Sequence, residues 1–229
     1  MTKSFDIRLR ERSYYQSPEE AQKFDRRSLS ILNIQRYKHI SLDIEKYLRK
    51  GLVLDIGCGT ARMLIEIAKN IPALNFVGID VSDPMIKLGL RNIEAEGLSK
   101  RVKLKVCAAE NLTLFQDETF DLIMSHGSLS GWLNTDETLS QIYRILKTGN
   151  FAYISDWNHN APFGSFASYI RSSFHDSEFR ERISMAFEAS YTCHEFKKMI
   201  SKTSFVSFDF TTEDIWMTAV LKKWCYFYF

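Results

Sequence analysis

Residues 51–70 read GLVLDIGCGTARMLIEIAKN. The run LVLDI (52–56) has the length of a short buried strand, and ARMLIEIAKN (61–70) spaces its apolar residues as a helix does. Between them DIGCGTA turns sharply at Gly57 and Gly59, where no side chain intrudes. The helix starting near Thr60 points free N–H groups into that turn. One ligand class for such a turn is a dinucleotide, whose fingerprint is G-x-G-x-x-G. Counted from Gly57, the third glycine falls on Arg62, so that fingerprint fails. Arg62 would also crowd the close helix–strand approach that a glycine permits. The alternative is acid-x-G-x-G-x-small, led by Asp55 and closed by Ala61. An acid in that place repels a pyrophosphate and suits a ligand carrying an ammonium group. The next strand, NFVGID (75–80), ends in Asp80, 21 residues after Gly59. There a carboxylate can accept both hydroxyls of a ribose.

Outward from this unit, strands and helices alternate. SDPMIKLGLRNIEAEG reads as a helix with Ser82 or Asp83 as cap, Pro84 in its first turn and Gly97 beyond its end. VKLKVC (102–107), FDLIMS (120–125) and FAYISD (151–156) read as strands, and DETLSQIYRILK (136–147) as a helix. This spacing implies a parallel sheet covered on both faces, with ligands at the strands' carboxyl ends. Ahead of it, residues 18–49 read as helix: Ser17 caps, Pro18 opens, and a second stretch carries Ile31, Ile34, Tyr37, Ile40, Ile44 and Leu48 at helical spacing. Three helices follow the fifth strand, the last with Thr192 and Glu195 as a capping box. Two strand-like runs joined by TTED (211–214) then read as an antiparallel hairpin at the sheet edge.

Composition excludes more than it selects. Of 229 residues 45% are hydrophobic, enough for a substantial core, and Gly plus Pro number only 14 (10 + 4). The net charge of +2 names no partner, but residues 1–50 hold 12 Lys/Arg against 7 Asp/Glu. That arm reads as a solvated helix surface or, more sharply, as a basic rim drawing an anionic substrate. Cys58, Cys107, Cys193 and Cys225 show no C-x-x-C and no metal-ligand spacing, so no metal is expected. The start lacks an apolar signal region and no run approaches 18 apolar residues; a reduced, cytoplasmic protein without a membrane span is the expectation.

These residues resemble the class I S-adenosylmethionine-dependent methyltransferases, over roughly Gly51 to Asp156 and again in the terminal hairpin. VLDIGCGTA is similar to their first motif and GID to their second. CAAENLTLFQDETFDLIMSHGSLSGW is similar to the stretch spanning their third and fourth strands, and IYRILKTGN to the turn before their fifth. The resemblance implies an α/β, Rossmann-like, seven-stranded sheet, mostly parallel with a reversed C-terminal strand and helices on both faces. Its domain would run over 51–229, with 1–50 as a helical cap or arm and a helical, lid-like insertion at about 157–190. The implied cofactor is S-adenosyl-L-methionine, with S-adenosyl-L-homocysteine as product. Asp55, Gly57, Cys58 and Gly59 would then line the methionine part and Asp80 with Val81 the ribose side. Ala109 and Glu110 would edge the adenine, and Ser125 and His126 would lie near the sulfonium. Ala61 stands for a frequent third glycine, read as a need for smallness alone. Ala108 stands for a frequent aspartate, and Thr148 and Asn150 for the Pro and final Gly of the turn.

Methyl transfer from a sulfonium is an in-line displacement in which positioning supplies much of the rate. Where the acceptor must lose a proton, His126 and His159 are the candidate bases, since both follow strand ends; His39, His175 and His194 fall on expected helices. No N/D-P-P-Y follows the fourth strand, which disfavours methylation of an amide or adenine amino group through that motif, and no basic stripe carries interleaved aromatics, which disfavours nucleic acid. A small organic acceptor is favoured. Tyr14, Tyr15 and the stripe Phe163, Phe166, Ile170 and Phe174 would belong to a lid or simply pack on the sheet. WCYFYF (224–229) would extend an edge strand or form a homodimer contact. A cofactor-binding protein without turnover is the alternative function, because fold does not guarantee activity.

Overall fold

The computed structural model describes residues 15–173, 177–205 and 207–224. Tyr14, Phe174, His175, Cys225 and most of WCYFYF lie outside them, and with them the homodimer contact.

The chain enters through α1 (Pro18–Ser28), held by a capping box: Glu20 N donates to Ser17 Oγ over 3.2 Å and Ser17 N to Glu20 Oε2 over 3.3 Å. Ser30 restarts the helix as cap of α2 (Ile31–Tyr47). Then come β1 (Gly51–Ile56), α3 (Arg62–Asn70), β2 (Leu74–Asp80), α4 (Asp83–Ala95) and β3 (Val102–Val106). β4 (Phe120–His126), α5 (Thr135–Ile145) and β5 (Leu146–Trp157) follow. The last third holds α6 (Phe163–Ser173), α7 (Ser177–Ala189), α8 (Cys193–Ile200), β6 (Ser207–Glu213) and β7 (Trp216–Lys222).

The seven strands form one sheet in the order β3-β2-β1-β4-β5-β7-β6, as the resemblance implied. β1 through β5 pair in parallel, and β7 pairs antiparallel with both β5 and β6. Strand alternation divides the core. Leu54, Ile56, Ile123 and Ile154 face Leu139 and Ile142 of α5 and Phe196 of α8. Val53, Met124, Tyr153 and Val220 face Ile40 and Ile44 of α2 and Leu64 of α3. A smaller cluster, centred on Trp157, Phe166 and Ile215, seats α6 beside the carboxyl end of β5 and the amino end of β7.

Two boundaries differ from the expectation. The hairpin turns at Asp214 (φ +52°) because Thr211, Thr212 and Glu213 stay in register with Thr218, Met217 and Trp216. β5 begins at Leu146, and its register against β4 shifts around Gly149 (φ +85°), so TGN bulges out of the strand. Gly149 N donates to Lys223 O and Lys223 N to Asn150 O. Those bonds to the residue after β7 hold the bulge without the proline and glycine found in the resembling turn.

Candidate active site

A cleft opens at the carboxyl ends of β1, β2 and β4, where strand order reverses. Its floor is the glycine turn. Gly57 and Gly59 take φ of +81° and +53°. A Cβ added to Gly57 would stand 2.3 Å from Ser128 Cβ, so only glycine lets the loop after β4 approach. Gly57 N and Cys58 N both donate to Ile79 O, over 2.8 and 2.9 Å.

Ala61 corrects the reading of its position. It takes φ +63° as the residue before α3, so the frequent glycine there serves conformation as well as smallness. A left-handed alanine costs about 1 kcal/mol, and burying its methyl returns about 0.8 kcal/mol. Ala61→Gly is therefore expected to shift stability by less than about 1 kcal/mol, read by urea unfolding.

Asp80 does two things. Its Oδ2 accepts from Gly59 N and its Oδ1 from Ser82 N, each over 2.9 Å, so it braces both loops at the cleft mouth. It also lines the cleft, where a carboxylate is the group that accepts from a ligand's hydroxyls. Val81 and Ala109 line the cleft beside it.

Asp55 lies behind the turn, on the face that α2 covers. It is fully buried, and neither carboxyl oxygen has a partner among the described residues. Burial, then the charge of Asp80, pushes its carboxyl up to about 8. An orphaned buried carboxyl behind a strained glycine cradle fits a ligand that brings an ammonium group.

The other expected site residues are spread out. Cys58 is buried against the space beside Gly78, and burial raises its thiol. Glu110 is off the cleft wall, where its Oε1 accepts from Leu133 N over 2.6 Å and braces the loop carrying Trp132. Ser125 is buried, 2.8 Å from Ser128 Oγ, which in turn donates to Ile56 O. His126 lines the cleft with its Nδ1 buried and without a partner, and its ring lies 4.7 Å from that of Trp216. Burial, then the charge of Arg36, drives its imidazole down to about 3. His159 is exposed and away from the cleft: its Nδ1 lies 3.0 Å from Phe187 O and its ring stacks on Phe187.

Of the two roof residues, the sequence marks Tyr15 as a lid candidate and leaves Phe24 unmarked. Phe24 of α1 covers Gly59, and Tyr15 lines the cleft with its carbonyl accepting from the Ser82 hydroxyl. Arg62, read as a crowding residue, instead reaches out to Asp25 of α1 with Nε and Nη2, over 2.8 and 2.6 Å. Asn92 of α4 joins them, donating to Asp25 Oδ1 and to Thr60 O. Helix propensity marks α1 in the sequence, but nothing local marks Asp25 as the partner of a residue 37 positions on. Among the described residues, no group of three His, Cys, Asp or Glu could hold a metal ion. No described helix is long and apolar enough to cross a membrane.

Comparison with known proteins places this geometry. The profile of the methyltransferase domain family matches residues 49–217. A ubiquinone/menaquinone biosynthesis C-methyltransferase of Geotalea daltonii is 28% identical over 136 residues, 59% of this chain and 57% of that protein. A demethylmenaquinone methyltransferase of Lactiplantibacillus plantarum is 37% identical over 98 residues, covering 42% and 41%. The chain thus spans little more than half the length of the curated relatives it matches. Among solved structures, a protein of Methanococcus maripaludis assigned as an S-adenosyl-L-methionine-dependent methyltransferase has a TM-score of 0.72 at 25% identity, covering 92% of this chain and 94% of its own. The plantazolicin methyltransferase BpumL, solved with S-adenosylhomocysteine and a desmethylplantazolicin analogue, reaches 0.77 at 19% identity, covering 97% of each chain, a likeness of fold alone.

Proposed function

This chain belongs to the methyltransferase domain family, and from that premise we propose that it transfers a methyl group from S-adenosylmethionine to a small organic acceptor, leaving S-adenosylhomocysteine. The observation that carries this reading is Asp80, a carboxylate that lines the cleft and is braced against the glycine turn at the end of β2. Names of relatives support the acceptor class, since they are a ubiquinone/menaquinone biosynthesis C-methyltransferase and a demethylmenaquinone methyltransferase.

The cofactor supplies a methyl group on a cationic sulfur. The chain's own residues bind, orient and exclude water. Asp80 takes the ribose hydroxyls, Val81 and Ala109 wall the adenine, and the Gly57–Gly59 turn admits the methionine part without a side chain in the way. α1 closes the top with Phe24, which makes the N-terminal helices part of the site. His126 serves as a neutral wall at the far end, because its surroundings oppose the imidazolium that a general base must become. We assign the protein to a reducing compartment such as the cytoplasm, in keeping with the free thiols of Cys58, Cys107 and Cys193.

Calorimetric titration with S-adenosylhomocysteine and, separately, NADH tests the reading. S-adenosylhomocysteine is expected to bind, NADH not to bind, and Asp80→Asn to weaken the first by about 10- to 100-fold, the worth of charge-assisted hydrogen bonds. Binding of NADH alone would overturn the proposal.

A further inference from the structure

The face of the sheet under α2 carries a second set of polar atoms for which the cofactor offers no explanation. At the carboxyl edge, His126 of β4 pairs in register with Ser155 of β5, which pairs with Thr218 of β7; two residues on, Trp157 pairs with Trp216. These side chains share one face by alternation. Their rings stack in a row that is met edge-on at each end, an aromatic wall. His126 lies 4.7 Å from Trp216, Trp216 stacks on Trp157 at 4.2 Å, Tyr169 meets Trp157 edge-on, and Tyr37 of α2 meets His126 at 89°.

Arg36 comes down from α2 onto this wall, its guanidinium 5.2 Å from the Trp216 ring centre. Its Nη2 donates to Ser155 Oγ over 3.0 Å, and Thr218 Oγ1 holds that serine from the other side. Its Nη1 pairs with Glu213, whose side chain is 74% exposed against 15% for the arginine; such a pair is screened by water and yields to a competitor. The Nε of Arg36 is buried with no partner, as is the Nδ1 of His126 at the cleft wall. Buried polar atoms without partners are uncommon and call for a missing group. Two of them stand here within electrostatic reach of each other.

We propose that the His126 end of the cleft is the acceptor subsite, that it takes an aromatic acid, and that Arg36 is the residue that selects the acid. The inference rests on the methyltransferase reading and adds the acceptor's chemistry to it. A carboxylate or phenolate accepts from Arg36 Nε–H and, in the Nδ1–H tautomer, from His126, satisfying both orphans with one group. A neutral ring leaves the arginine unsatisfied. An ammonium meets Arg36 head on, so the aromatic wall is not a cage for a cation, although its rings alone would suit one. Where the ionised oxygen is itself the attacking atom, it has no proton to hand over, which agrees with a neutral His126.

The test is calorimetry on the full chain saturated with S-adenosylhomocysteine, with benzoate, benzamide and benzylamine as probes of one shape and three charges. Benzoate is expected to bind about tenfold or more tighter than benzamide, and benzylamine weakest. In Arg36→Gln that preference disappears while S-adenosylhomocysteine still binds, which also reports that the variant is folded. Arg36→Lys keeps the charge without the planar fork and is expected to retain part of the preference. Equal affinity for benzoate and benzamide, a preference that survives in Arg36→Gln, or no saturable binding of any probe overturns the inference while leaving the methyltransferase reading standing. Failure of the wild-type chain to bind S-adenosylhomocysteine at all sinks that reading, and this subsite with it.

Discussion

Asp55→Asn is expected to raise the melting temperature of the ligand-free protein and to weaken S-adenosylhomocysteine binding, two effects of opposite sign from one atom pair. The carboxyl is fully buried without a partner and is pushed up to about 8, by burial first and then by the charge of Asp80. In the unfolded chain it ionises near its ordinary value of 3.8. Between those values the native state keeps a proton that the unfolded state has lost, so wild-type stability falls as pH rises from about 4 to about 8 and is level above. Asparagine removes that slope. Its advantage should be absent near pH 4 and reach about 5 °C or more by pH 9. Binding tells the other half. An ammonium group brought beside Asp55 would favour the carboxylate, so titration near pH 7 in buffers of different ionisation heat should show about one proton released. The asparagine variant should release none and bind about 100-fold more weakly, the scale of a lost buried charge partner. Equal affinity with no proton released in either protein would make Asp55 a spectator behind the glycine turn.

The second large effect is expected from Asp25→Ala. Asp25 is buried on α1 and grips Arg62 in a fork, with Asn92 completing the network. Burial alone would raise its carboxyl, but the hydrogen bonds from Arg62, with help from Thr60 and Asn92, outweigh that and hold it below the usual carboxylate range. A lowered carboxyl contributes stability that is present above the unfolded value and lost as pH falls through the lowered one. Removing Asp25 leaves a mostly buried guanidinium without its counter-ion, with Asn92 Oδ1 as its remaining acceptor among the described residues, a loss of about 3 kcal/mol, or about 10 °C in melting temperature for a chain of this size. Phe24, one residue before it, loses its hold over Gly59, so S-adenosylhomocysteine affinity should fall about tenfold. Arg62→Ala should match, and the double variant should cost less than the sum of the two. Unchanged melting in both single variants would show that α1 is held by its apolar face alone.

The core unit was readable because its signals are local. The glycine turn, the strand lengths and the acid at the end of β2 each lie within a few residues of what they determine, and both capping boxes carry their own logic in four residues. Long-range partners were not readable. Glu110 looked like an adenine neighbour, yet it spends its carboxylate on Leu133 N, 23 positions away. His126 looked like a base because histidine titrates near neutrality; its environment is set by Arg36 and Trp216, which neither spacing nor motif brings near it. His159 follows a strand as the fold requires, but its ring is drawn to Phe187 on α7, outside the cleft. Ser128 and Trp132 lay inside the quoted SHGSLSGW stretch; their shared hydrogen bond under the cleft emerges only once the loop is folded against Ile56.

The position of β7 between β5 and β6 has a consequence for how the protein is made. On the ribosome β6 is synthesised first, yet it has no place in the sheet until residues 216–222 arrive to pair with it and with β5. The nascent chain can assemble β1, β2 and the glycine turn while the flank of β5 stays open, an exposed edge of the kind that recruits other chains. Trp216, the ring against which Arg36 and His126 are set, belongs to that last strand. The half of the site that would hold the cofactor can therefore exist before the half that would choose the acceptor, and the closing of the sheet would also be the step that completes the proposed selectivity.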